Sequence, residues 1–380
     1  MKKIDENLLK YLVLSEEKCT IEGLVYYTNR LNLLNFLKNK KIDIISELPF
    51  LSAFVVCFKS KQLYELSKQS FVSYISSLAT AKTFIDISKK IIGINKNNEY
   101  NGENQTVVII DTGINPHIDF LLANNRIIYF KDFINNKNIF YDDNGHGTFV
   151  SGILAGSGTL SNGKYKGVAP RANIVSLKAL NNLGEANATT ILQAMQWVFD
   201  NKQKYKINTV CMSFGSEPLG SYDPIMKGAE KLWQEGITVV CAAGNSGPDY
   251  QTIKSPGISR KIITVGGLDD CRNEYGEYSI KNFKVADFSS RGPVNNRVKP
   301  DLIAPSVNIT SCGYKGNYIS MSGTSVATPM VAGLAVIIKQ KFSNATPDMI
   351  KGFLISNAIS IGENKFSQGY GIANIKSIYN

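Results

Sequence analysis

Five short runs that are apolar on nearly every residue do most to limit how this chain can fold: residues 107–110, 174–177, 209–212, 238–242 and 262–265. A strand that is apolar on both faces needs cover on both faces. Helical patterns alternate with these runs at 147–156, 188–200, 224–234 and 324–340. Buried strands alternating with helices predict an α/β fold, a mostly parallel sheet with helices packed on either side. In such sheets the reactive side chains collect just beyond the carboxyl ends of the strands.

The first 82 residues follow another pattern. Strands are expected at 21–27, 42–47, 50–58 and 71–75, and helices at 29–38 and 61–69, with Asn29 or Thr28 as a cap for the first helix. The order β-α-β-β-α-β describes a small α+β unit. Residues 79–105 then turn polar and irregular, so two domains are expected, 1–82 and 83–380. The small unit has no histidine and no clustered acids, and nothing in it points to chemistry.

With 43% hydrophobic and 19% charged residues the chain is of ordinary globular composition. No apolar run reaches the roughly 20 residues of a membrane span. Residues 1–15 do not form a signal peptide: Lys10 interrupts the leucines, and acids follow Lys2 and Lys3. The expectation is a cytoplasmic protein, with export by a non-classical route left open. Six scattered cysteines read as buried free thiols, and two histidines are too few for a zinc site. The net charge of +11 is spread out, without an arginine cluster or an aromatic–basic stripe, which argues against a nucleic-acid partner.

Three strand ends and one helix start carry the chemistry. Asp111 closes the run 107–110; alone, an Asp-Thr-Gly is more often a turn cap. His146 opens the helical stretch after Asp142-Asp-Asn-Gly. Asn245 follows the run 238–242 and a glycine, a place where a turn asparagine is common. Ser325 lies in a run of small residues before a long apolar helix, with Pro329 read as sitting just inside the helix start. Each has a bland reading by itself. Together they supply a nucleophile, a base, an orienting carboxylate and an oxyanion donor. His117, in a loop after Pro116, is read as structural.

These residues stand in motifs that resemble the subtilisin-family serine proteases (subtilases, S8-type). The order Asp…His…Ser is that family's. The motifs are Val107-Val-Ile-Ile-Asp111-Thr-Gly, Asp143-Asn-Gly-His146-Gly-Thr and Gly323-Thr-Ser325-Val-Ala-Thr-Pro329. Gly167-Val-Ala-Pro170, Ala242-Ala-Gly-Asn245, Asp287-Phe-Ser-Ser-Arg-Gly-Pro293 and Lys299-Pro-Asp-Leu-Ile-Ala-Pro305 add to them, and the similarity runs from about residue 93 to 374. The resemblance implies a serine endopeptidase with Asp111, His146 and Ser325 as catalytic residues and Asn245 at the oxyanion. It also implies that the N-terminal unit is a propeptide, an intramolecular folding aid and inhibitor, in a zymogen that cuts itself between about residues 75 and 90. Gly184, Glu185 and Ala186 would face Ser213, Phe214 and Gly215 across an extended substrate, and Ala242, Ala243 and Gly244 would wall the primary pocket. The expected partners are a protein or peptide substrate and the chain's own propeptide.

The sequence departs from the family pattern in several places. Phe149, Ser306, Val326 and Met330 read as packing swaps. Lys254 falls near the floor of the primary pocket, where a small residue is usual. Pointing inward it would favour acidic residues before the scissile bond, although the expectation is that it bends out to solvent. No cofactor is required for the chemistry. Structural calcium is left open, since residues 156–166 do not resemble the familiar calcium loop and Asp119 alone is a poor site for a cation wanting six to eight oxygens. The other reading is a catalytically silent subtilase-like protein that binds and regulates. Such proteins usually lose a triad member, and this chain keeps all three.

Overall fold

The computed structural model describes residues 3–5, 8, 20–77, 85–94, 99–121, 125–273 and 277–379. The chain divides into two compact units, Met1–Ala81 and Lys82–Asn380. The expected self-cleavage stretch falls partly on residues 78–84, which lie outside the described residues.

The first unit contains β1 (Thr20–Tyr27), α1 (Arg30–Asn39), β2 (Asp43–Leu48), β3 (Ala53–Lys59), α2 (Ser60–Ser67) and β4 (Val72–Ser77). Its four strands pair antiparallel in the order β2-β3-β1-β4. Asn29 caps α1 by accepting the Asn32 N–H at 3.0 Å. Leu33 and Leu37 on α1 and Leu63 and Leu66 on α2 share one core with Val25, Phe54, Val56 and Phe58. One boundary differs from expectation by more than two residues. The third strand starts at Ala53 because Pro49–Leu51 forms a single 3-10 turn and Ser52 takes φ 51. Phe50, read as part of that strand, is 82% exposed.

The second unit opens with α3 (Ile85–Ile91). Its sheet comprises β5 (Thr106–Asp111), β6 (Ile127–Asp132), β7 (Asn173–Lys178), β8 (Ile207–Met212), β9 (Thr238–Ala242), β10 (Ile263–Asp269), β11 (Lys284–Val285) and β12 (Leu302–Pro305). The spatial order is β11-β10-β9-β8-β5-β7-β6, with β12 also beside β10. All the pairings are parallel except β10 with β11. A hairpin of β13 (Ile309–Cys312) and β14 (Tyr318–Met321) stands apart. The longer helices are α4 (His146–Ala155), α5 (Ala188–Asn201), α6 (Pro224–Gln234), α7 (Thr324–Lys341) and α8 (Pro347–Ser356). This is the α/β architecture that the apolar runs imply, with β5 inside the sheet between β7 and β8.

Two helices are buried almost all round, and both carry reactive residues. In α4 every residue after His146 is buried. In α7 burial runs unbroken from Val326 to Ile338, and the helix packs on β8, β9, β10, β12 and α4. A helix apolar on all sides has to be internal. Pro329 sits in the second turn of α7, not at its start. The absent proline N–H is the one that would reach the Ser325 carbonyl four residues back. The same turn has a side-chain bond instead, from Thr328 Oγ1 to the Thr324 carbonyl at 2.7 Å.

Candidate active site

Asp111 is the last residue of β5, and His146 the first of α4. Gly147 is what lets them meet. A Cβ on it would lie 2.2 Å from the Gly113 carbonyl oxygen and 3.2 Å from Asp111 Cβ. His146 Nδ1 lies 2.7 Å from Asp111 Oδ1, which also accepts the Thr112 N–H at 2.8 Å. An ionised carboxylate can only accept, so Nδ1 carries the proton and Nε2 presents its lone pair. Asp111 is buried, whereas the His146 side chain keeps 24% of its surface. Burial pulls the imidazole pKa down. The charge of Asp111, its hydrogen bond and the charge of Asp142 outweigh that and hold it above 6.5. Asp111 Oδ2 is buried without a hydrogen-bond partner.

On the other side, Ser325 is the second residue of α7, where a backbone N–H has no intrahelical acceptor. Asn245 follows β9 and is exposed. Its Oδ1 accepts both the Thr324 N–H and Thr324 Oγ1 at 2.9 Å. A backbone N–H can only donate, so these bonds fix the amide orientation and turn Nδ2 away from Thr324. Gly323, at φ 154 and ψ 161, leaves space between nucleophile and amide. A Cβ there would sit 3.1 Å from Ser325 Oγ and 3.4 Å from Asn245 Nδ2. No hydrogen bond among the described residues joins Ser325 Oγ to His146. Catalytic hydrogen bonds commonly tighten only when substrate is present.

Three further residues hold this arrangement, and no local sequence pattern marks them for this role. Asp142 is buried and accepts from Thr112 Oγ1 and the Gly145 N–H at 2.8 Å, and from the Thr148 N–H and Oγ1 at 2.8 and 2.6 Å. It ties the aspartate turn to the histidine helix. Lys178, at the end of β7, is wholly buried. Its ammonium donates to the carbonyls of Thr112 and Leu180 and to Asp143, at 2.7, 2.9 and 2.7 Å. Thr324 is the third. All three work through partners far away in sequence.

Residues 102–372 match the profile of the Subtilase family (peptidase S8). The chain belongs to the subtilase family. It is 43% identical over 276 residues to the serine protease AprX of Bacillus subtilis, a match covering 67% of this chain and 61% of that protein. Against subtilisin DY of Bacillus licheniformis the identity is 31%, covering 73% of this chain and 92% of the relative. Among solved structures, sphericase superposes with a TM-score of 0.65 at 28% identity, covering 76% of this chain and 97% of that one. The chain is thus a subtilisin-like serine endopeptidase with the fold read from its strands.

In this subtilase Gly184, Glu185, Ala186, Phe214 and Gly215 line one cavity of about 370 Å³, floored by Leu180, Ile191 and Ile225. The two segments expected to flank the substrate therefore share one cleft, while Ser213 and Ala243 are buried and do not line it. Gly244 N–H reaches Thr324 Oγ1 at 3.2 Å, next to Asn245. Lys254 departs from the expectation that it bends out. Its side chain is only 19% exposed, its stem lies against Gly215 and Gly244, and its ammonium pairs with Glu217.

His117, Asp119 and Cys312 form a buried cluster with the residue types of a metal site. Its donor atoms are already engaged. Asp119 Oδ1 accepts the Leu160 N–H at 3.0 Å, and Oδ2 accepts Tyr318 Oη at 2.8 Å and Cys312 Sγ at 3.6 Å. His117 Nδ1 accepts the Asp119 N–H at 3.1 Å, and Nε2 faces the Asn317 carbonyl at 3.1 Å. Close by, the Arg126 guanidinium donates to the carbonyls of Asp119, Ala155 and Ala172. Burial lowers its pKa to about 10. A calcium ion at Asp119 would have to displace these donors and tolerate a buried guanidinium, so the residues present do not fit one. Among the cysteines, Cys211, Cys241 and Cys312 are buried, Cys57 is partly so, and Cys271 is exposed, against the expectation of burial; Cys19 lies outside the described residues.

Proposed function

We propose that this endopeptidase works through an acyl-enzyme on Ser325. Ser325 Oγ attacks the scissile carbonyl while His146 Nε2 takes its proton and later returns it to the leaving amine. Asp111 holds the tautomer and stabilises the imidazolium. Asn245 Nδ2 and the Ser325 N–H receive the oxyanion, a role suited to fixed dipoles at a helix start. The observation that carries this reading is the 2.7 Å Asp111–His146 bond, on the same sheet end as an amide turned by Thr324 towards Ser325. Mass spectrometry during ester turnover tests it. An acyl adduct on the peptide containing Ser325 is expected, and an adduct elsewhere would contradict it.

The N-terminal unit is proposed to be a propeptide, removed by self-cleavage between about residues 75 and 90. Support comes from its separate core and its β-α-β-β-α-β order. N-terminal sequencing of wild type and Ser325→Ala gives the test. Processing in both proteins alike would exclude self-cleavage.

A further inference from the structure

Lys254 joins two walls of backbone beside the catalytic residues, one shared with the cleft and one leading to Asn245. Its backbone N–H donates to the Ala243 carbonyl at 2.9 Å, and the next residue, Ser255, exchanges a pair of 2.9 Å backbone bonds with Ser216. Residues 254–255 thus bridge the wall that ends in Gly244-Asn245 to the wall that contains Gly215-Ser216. The lysine stem fills the gap between them. A Cβ on Gly215 would meet Lys254 Cβ at 2.7 Å, and one on Gly244 would meet Lys254 Cγ at 2.5 Å. Both walls are glycine at these points, and the methylenes occupy the space their side chains would have taken. The space between these two glycines is filled by the lysine stem, which leaves little room there for a long apolar side chain.

The ammonium at the end of that stem has three donors. The partner found for it is the carboxylate of Glu217, whose side chain is 79% exposed. So exposed a carboxylate can swing into water at little cost, because an ion pair with a solvated member is weak. Lys254 is fixed by two walls of backbone, and Glu217 is the movable member of the pair.

We infer that Lys254 selects substrates with an acidic residue immediately before the scissile bond, and that Glu217 occupies its ammonium until such a residue arrives. This rests on the reading of Ser325 and Asn245 as the catalytic centre, since Gly244 places the lysine one residue from the oxyanion amide. The substrate carboxylate replaces that of Glu217 on the same donor, and the lysine stem excludes large apolar competitors. Glu217 thereby lowers the affinity for acidic substrates without abolishing the preference.

The test uses matched peptides with Glu, Ala, Phe or Lys before the scissile bond, with active sites counted by a fluorophosphonate. Wild type is expected to favour Glu over Phe and Lys in kcat/KM by about tenfold or more, the worth of one hydrogen bond to a charged group. Lys254→Met keeps the stem and removes the charge, so the Glu preference should fall to parity with Ala while Phe stays poor. Glu217→Gln should raise the ratio of kcat/KM for the Glu peptide to that for the Ala peptide several-fold. A wild type favouring Phe or Lys, or a Glu preference that survives Lys254→Met, overturns the inference while fluorophosphonate labelling keeps the catalytic reading. Loss of labelling at Ser325 in wild type would overturn both.

Discussion

The chain has two histidines, and each lies beside a buried aspartate. At Asp111–His146 the ring donates Nδ1–H to a carboxylate 2.7 Å away and keeps Nε2 for the cleft. At Asp119–His117 the carboxylate is 4.0 Å off, and Nδ1 instead accepts the Asp119 backbone N–H. That leaves the proton on Nε2, which donates to the Asn317 carbonyl. One ring is poised to become an imidazolium beside a counter-ion. The other is a neutral strut with both nitrogens committed. The same two residue types give a general base or a core brace according to which nitrogen holds the proton.

The sharpest way to break this contrast is to neutralise each aspartate. Asp111→Asn should lower kcat about 10⁴-fold, because an amide permits the wrong tautomer. Asp119→Asn should leave kcat/KM per labelled site within a few-fold, yet destabilise the fold by about 1–3 kcal/mol through the Leu160 and Tyr318 bonds. Equal kinetic damage from the two changes would contradict the assignment.

The pair on His146 matters only if an oxyanion is stabilised opposite it. Asn245→Ala is expected to cost on the order of 10²–10³ in kcat with little change in KM, a range set by experience with a subtilisin itself.

pH tests the His146 assignment as well. His146 must be neutral to accept a proton, and its pKa is held above 6.5. The acid limb of kcat/KM should therefore lie above the pH of an ordinary imidazole titration, with activity falling as pH drops through it. Stability runs the other way. The contribution of the charged pair is fully present below the unfolded value and is lost as pH rises through the folded one. In Asp111→Asn the residual acid limb should move to lower pH, because the raising charge is gone. A limb that stays put would assign the titration to another group.

Smaller effects probe the supports. Thr324→Val removes the hydroxyl that steadies Asn245 and Gly244, and about 1 kcal/mol of lost orientation corresponds to roughly a fivefold fall in kcat. The smallest expected change is none. If Asp119 is saturated by protein donors, chelation with EDTA should leave Tm unmoved. Calcium held there at a hundredfold its Kd would add about 2.7 kcal/mol, so a drop of several degrees that Asp119→Asn abolishes would refute the crowded-site reading.

Much of this was legible in the sequence, for identifiable reasons. Runs such as 107–110 and 238–242 are apolar on both faces, which leaves a doubly covered sheet as the economical solution. Asp111, His146, Asn245 and Ser325 sit at strand ends or helix starts, where local pattern reveals position. Asp142, Lys178 and Thr324 escaped notice because their work is done through contacts 30 to 80 residues away. Pro329 reads from the sequence as a helix-start proline, since the side-chain bond of Thr328 that accompanies it inside α7 is invisible there. The inward course of Lys254 depends on the facing glycines, Gly215 and Gly244, which only the fold brings together.

The most direct test of the central claim is labelling by a fluorophosphonate, with the modified peptide mapped, in wild type, Ser325→Ala, Asp111→Asn and His117→Gln. The account predicts one adduct on Ser325 in wild type, none in Ser325→Ala, strongly slowed labelling in Asp111→Asn and near wild-type labelling in His117→Gln. An adduct that persists in Ser325→Ala, or a His117→Gln protein slowed as much as Asp111→Asn, would contradict it.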